Sequence, residues 1–148
     1  MDLADVDLSK IFFEKDIGLL SKVNYVIDED IPDEPIAIQL VFSNTIIIIS
    51  VIDEDDSIDI NSQAYYNLKD IDLCNISNEA PWKNVINQRL SWVWSLTNQR
   101  GYTDAIQFEW ITQDKDSKKS IKIELLAMLS HLRIYQLERF CRSDGFLT

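Results

Sequence analysis

Apolar residues fall at alternate positions over much of this chain, and that period of two predicts strands. IAIQLVFS, residues 36–43, puts Ile36, Ile38, Leu40 and Phe42 on one face. NTIIIISVI follows at once, with Ser43-Asn44 as the tight turn of a hairpin. In this second strand both faces are apolar: Ile46 and Ile48 on one, Ile47, Ile49 and Val51 on the other. Such a strand is expected at the centre of a sheet, covered on both sides. Upstream, Val23, Tyr25 and Ile27 alternate, and EDIPDEP reads as a turn, because prolines among acids do not continue a ladder. DEDD ends the isoleucine-rich strand, and SIDI begins a short further one.

The second half repeats the pattern. Leu90, Trp92, Trp94 and Leu96 share one face, and NQRGYT interrupts. Ile106, Phe108 and Trp110 then resume the alternation on the next strand. The tryptophans are expected to be core. Gly101 supplies the positive φ that the connecting loop needs, with Asn98 and Asp104 bonding local backbone at its ends. Ile121, Ile123 and Leu125, then Leu132 and Ile134, predict two more strands, with a helix over residues 124–140 as the competing reading.

Helical signals are few. Ser9 is placed to cap a short helix through KIFFEKDIG, with Gly18 as its stop. A second is expected near residues 77–90, capped by Ser77 or Asn78 with Pro81 in the first turn. Residues 61–80 read equally as strand or irregular chain. The sum is a mostly β, α+β fold: an antiparallel sheet of about six to eight strands, as a curved sheet or a sandwich, with one or two short helices. The 148 residues are expected to form one domain, residues 1–148.

Charge changes this picture most. Residues 1–80 hold 18 Asp/Glu and 4 Lys/Arg, net −14; residues 81–148 hold 7 and 10, net +3; the sum is −11. An acidic balance argues against nucleic acid, which is bound by neutralising phosphates with Lys and Arg. It suits a basic partner, since complementary charge speeds association. The most apolar run, TIIIISVI, is eight residues, against the roughly 20 of a membrane-spanning helix. The acidic start MDLADVDLSK lacks a signal peptide's basic region. Cys74 and Cys141 lie far apart in no metal or redox spacing and read as reduced, buried thiols. A cytoplasmic protein, monomer or homodimer, is the expectation.

Candidate chemistry is limited by residue type. His131 is the only histidine, at an apolar strand start, and is read as structural rather than catalytic. With glycine only at positions 18, 101 and 145, neither a P-loop nor GxGxxG can be written. Asp53, Asp55, Ser57 and Asp59 match the first odd positions of a calcium loop. Ile58 and Ala64 then stand where that loop needs glycine and glutamate. Asp53, Asp55 and Asp59 are left as the divalent-ion candidates; no metal site, no cofactor and no catalytic residue is assigned. The binding candidates are the groups the Gly101 loop presents: Gln99, Arg100, Tyr102 and Asp104.

The run WxWSLTNQRGYTDAIQ, carrying Trp92, Trp94, Asn98, Gln99, Gly101, Tyr102, Asp104 and Ala105, resembles a family of uncharacterised small bacterial proteins, a domain of unknown function. The resemblance implies a β-rich cytoplasmic domain and no particular reaction. The functional expectation is a non-enzymatic acidic interaction protein, an inhibitor or immunity-like module acting on a basic partner. The alternative is a domain binding a small molecule or divalent ion, or a carboxylate-based enzyme.

Overall fold

The computed structural model describes residues 1–62, 73–114 and 117–140. Nine strands appear among them, one more than the expected upper number, in two antiparallel sheets. The strands are β1 (Leu20–Asp28), β2 (Ile31–Phe42), β3 (Ile46–Ile52), β4 (Ser57–Ser62), β5 (Leu73–Asn75), β6 (Trp92–Thr97), β7 (Thr103–Asp114), β8 (Ser117–Met128) and β9 (His131–Phe140). One sheet runs β4-β3-β2-β1-β5 and the other β6-β7-β8-β9. Residues 124–140 are therefore strand, as favoured. Of the undecided residues 61–80, part falls to β4 and β5, and residues 63–72 lie outside those described.

The core lies between the sheets. Ile38, Leu40, Ile47, Ile49, Ile58 and Ile60 from one meet Ile106, Phe108, Trp110, Ile121, Ile123 and Leu125 from the other. Ile47, Ile48 and Ile49 are all buried, so β3 is covered on both faces, as its pattern required. Trp82 stands edge-on to Trp110, and Phe12 edge-on to Phe108, at ring separations of 6.4 and 5.7 Å. Trp82 Nε1 donates to Tyr25 Oη at 2.6 Å. Burial pushes that phenol up to about 12, with the nearby Glu79 charge adding and the Trp82 bond opposing.

Several expectations are corrected. The first helix, α1 (Leu8–Phe12), is capped by Asp7, whose carboxylate accepts Ser9 N, and it stops well short of Gly18. Residues 77–90 form only a 3₁₀ turn, Trp82–Asn84, after a cis Ala80–Pro81 bond, with no side-chain cap. The buried Trp82–Tyr25 and Trp82–Trp110 contacts decide this segment over helix propensity. EDIPDEP is turn only at Glu29 and Asp30; β2 starts at Ile31 and carries both prolines. They are tolerated because β3 pairs with β2 only from Ala37 to Val41, so one side of the proline stretch is an edge, and bulges fall opposite it. Ile36 is consequently exposed, while Ile38, Leu40 and Phe42 reach the core. Cys74 is exposed rather than buried; Cys141 lies outside the described residues.

The largest correction concerns tryptophan. Trp82 and Trp110 are fully buried, but Trp92 is 56% and Trp94 38% exposed. Residues directly opposite in an antiparallel pair share a face. Val93 lies opposite Phe108, so it is turned toward the core and the tryptophans away from it, while Ser95, on the face of Val93, is exposed. Leu90 is buried but precedes the strand, so extending the period of two back through it gave the wrong face.

Candidate functional site: an acidic cleft where four connections meet

Because all these hairpins are antiparallel, four connections come to one end of the molecule: β1 to β2, β3 to β4, β6 to β7 and β8 to β9. The contacts among them are specific. Asp56, in the β3–β4 connection, accepts from Ser130 N at 2.8 Å and Leu129 N at 3.1 Å, the two central residues of the β8–β9 turn. Both have positive φ, 65° and 52°. Two-residue hairpins favour such turns because their twist matches the strands, yet usually build them from Asn and Gly. Here a carboxylate from the opposite sheet receives the two amides that the turn turns outward.

The β6–β7 connection is held by its own side chains. Asn98 Oδ1 accepts from Arg100 N at 2.9 Å and Tyr102 N at 3.3 Å, while its amide donates to Asp104 at 3.2 Å. Gly101 takes φ +85° with nothing within 4 Å of where a Cβ would stand, as the loop reading requires. Thr97 and Thr103 hydroxyls bond across its base at 3.0 Å. Arg100 and Tyr102 are thereby projected on a braced loop.

Between these two connections lies an open cleft of about 460 Å³. Asp53, Glu54, Asp55 and Asp56 form one wall, Asn98, Arg100, Tyr102 and Asp104 the other, and Ala127 and Met128 the floor. Two groups of residues that the sequence separates by more than forty positions thus share one site. Asp55 is fixed by accepting Ser57 N and Oγ at 3.0 and 2.5 Å. Asp53 and Glu54 are exposed, and among the described residues no carboxylate pairs with Arg100.

Not every candidate arrives. Gln99 is exposed at the loop tip and does not line the cleft. Asp59 is engaged elsewhere, 2.5 Å from the Met1 ammonium and 2.6 Å from Asn61 Nδ2. Among the described residues, no three Asp, Glu, His or Cys side chains stand close enough together to hold a metal ion. Sequence reasoning missed Asp56, whose signal was only its place at the end of an acidic run; Asn98 bonds local backbone as read, while Asp104 accepts from the Asn98 side chain instead.

The flank of the cleft is acidic too. His131, 6% exposed, turns Nδ1 to Leu129 O at 2.9 Å and Nε2 toward Asp28 at 3.5 Å. Arg133 bonds Glu34 at 3.1 Å. Glu29, Asp30 and Asp33 are exposed nearby. The far end of the molecule differs: there Arg89 pairs with Asp16 at 2.7 Å and holds that carboxyl below its usual range, with Gly18 N helping.

A family model matches residues 8–140, nearly the whole described chain. The chain belongs to DUF6334, a family of unknown function. No curated protein and no solved structure matches it. Membership in DUF6334 agrees with the resemblance to a family of unknown function and assigns no activity. No described helix of this DUF6334 member is long and apolar enough to cross a membrane.

Proposed function

We propose that this protein is a binding module whose acidic end captures a basic segment of a protein partner, an interaction protein of the inhibitor or immunity type acting in the cytoplasm. The observation that carries the reading is the cleft. Five carboxylates, Asp53, Glu54, Asp55, Asp56 and Asp104, line it against one guanidinium, Arg100. A concave surface lined by one sign of charge focuses the field and raises the encounter rate with an opposite charge. Tyr102, 40% exposed, adds an aromatic face at the rim, where a lysine or arginine side chain can stack by cation–π attraction. The exposed Cys74 thiol suits a reducing compartment.

The test is a titration of the isotopically labelled protein with an oligo-lysine peptide, followed by amide shifts. Shifts concentrated at residues 53–56 and 98–104, weakened by salt, support the reading. Shifts spread evenly over all acidic surfaces overturn it.

One feature favours a second reading. Arg100 stands among the carboxylates without an ion-pair partner among the described residues, which suits a small zwitterionic ligand presenting both charges. Free lysine binding as tightly as the peptide would favour this over a protein partner.

A further inference from the structure

β6 is an edge strand. One side pairs with β7 from Trp92 to Thr97; on the other, no strand among the described residues lies beside it. An open edge is a template for another chain, and proteins usually blunt it with charge, proline or a bulge. The strand WVWSLT holds neither charge nor proline, and its one irregularity falls at the last step, Leu96 to Thr97. The opposite edge of the same sheet, β9, carries a charge in the usual way at Arg133. Beside the open edge the outward face sets two tryptophans next to polar neighbours, Glu109 opposite Trp92 and Gln107 opposite Trp94. Trp92 and Trp94 lie nearly parallel with ring centres 6.4 Å apart, Lys122 Nζ sits 5.1 Å from the Trp94 ring, and Ile111 is 43% exposed.

We infer that a second copy of this chain occupies the edge, its β6 pairing antiparallel with this one across a two-fold axis. The backbone permits it, because two identical strands related by a two-fold complement each other's free N–H and C=O groups. Charge selects it. Two chains of net −11 repel in most orientations. β6 runs toward the acidic end, so antiparallel pairing sends the two acidic ends to opposite extremes of the dimer. The paired strands themselves set no charge against its like. Side chains complete it: the two copies form one continuous sheet of eight strands, with four tryptophans side by side at its centre, where aromatic cross-strand pairs are favourable. The exposed parts of Trp92, Trp94 and Ile111 come to about 300 Å² per copy, with the ladder adding to it, against about 800 Å² per partner in a standard interface. The dimer is therefore a weak one, dissociating on the order of micromolar.

Sedimentation velocity of the full chain over a concentration series through that range tests this. The mass should rise from one chain to two, and the amides of residues 92–97 should gain protection from hydrogen exchange as it does. Trp92→Lys with Trp94→Lys sets like charges across the axis and should raise the dissociation constant at least tenfold while leaving the circular dichroism unchanged. Ser95→Lys, at an exposed position of the same strand, gives the same readout if the double variant fails to fold. A monomer at every concentration overturns the proposal. So does a dimer that these substitutions leave intact, or an edge that pairs only with an extended segment of another protein.

Discussion

Asp56→Ala tests whether the two sheets are tied at the acidic end in the way described. Its carboxylate accepts the Leu129 and Ser130 amides at 3.1 and 2.8 Å, from a turn whose two central residues both have positive φ. A hydrogen bond to a charged group contributes about 1.5–3 kcal/mol when its loss leaves the partner unpaired. Leu129 is 74% exposed, so water replaces part of what its amide loses, and about 2 kcal/mol in total is the reasoned cost. For a chain of this size each kcal/mol lowers Tm by about 2–4 °C, giving about 4–8 °C. One effect acts the other way, since removing a charge from an acidic cluster relieves repulsion. Asp53→Ala measures that relief, because Asp53 is exposed in the same connection; it should shift stability by no more than about 0.5 kcal/mol. Thermal melts by circular dichroism at neutral pH read both. The cost should also shrink when Leu129→Asn and Ser130→Gly supply the residues a turn of this kind favours, since these relieve strain of roughly 1 kcal/mol per position. An Asp56→Ala melt within 1 °C of the unaltered protein, or one matched by Asp53→Ala, would refute the reasoning.

The two glycines in left-handed backbone separate strain from contact. Gly101→Ala should cost about 1 kcal/mol from φ alone. Gly18→Ala should cost about 3, because its new Cβ would stand 2.6 Å from Ser43 Cβ; equal melts for the two would contradict this. Tyr25 titrates high, so the folded state favours the neutral phenol. Stability is therefore full below about pH 10 and lost as pH rises toward 12, by about 2 kcal/mol after allowing for partial burial. Tyr25→Phe should be less stable at neutral pH, having lost the Trp82 acceptor, yet fall less steeply between those limits; parallel alkaline profiles would count against the assignment.

What was legible in the sequence is what local spacing controls. The β2–β3 hairpin, the doubly covered β3, the inward Ile106, Phe108 and Trp110, and the loop at Gly101 all follow from period and turn chemistry. Trp92 and Trp94 were misread for a definite reason. Alternation says which residues share a face but not which face is buried, and Leu90, buried just before the strand, suggested the wrong one. Matching β6 against β7 would have put Val93 opposite Phe108 and turned the tryptophans outward. The residues 77–90 were misread because burial of Trp82 outweighs helical spacing. The cleft itself was half legible. Both loops carried site candidates, but their meeting depends on how two sheets stack, and no local pattern encodes that.

Charge reversal in the cleft tests the central claim most directly. Asp53→Lys with Asp55→Lys changes the charge of one wall by four; Asp5→Lys with Glu14→Lys makes the same change at exposed positions outside the cleft. Binding of a labelled oligo-lysine peptide at low salt should weaken at least tenfold in the first variant and much less in the second, a difference of about 1.4 kcal/mol or more. Equal weakening in both would mean that only net charge matters, and peptide bound as tightly after reversal of the cleft wall would contradict the account.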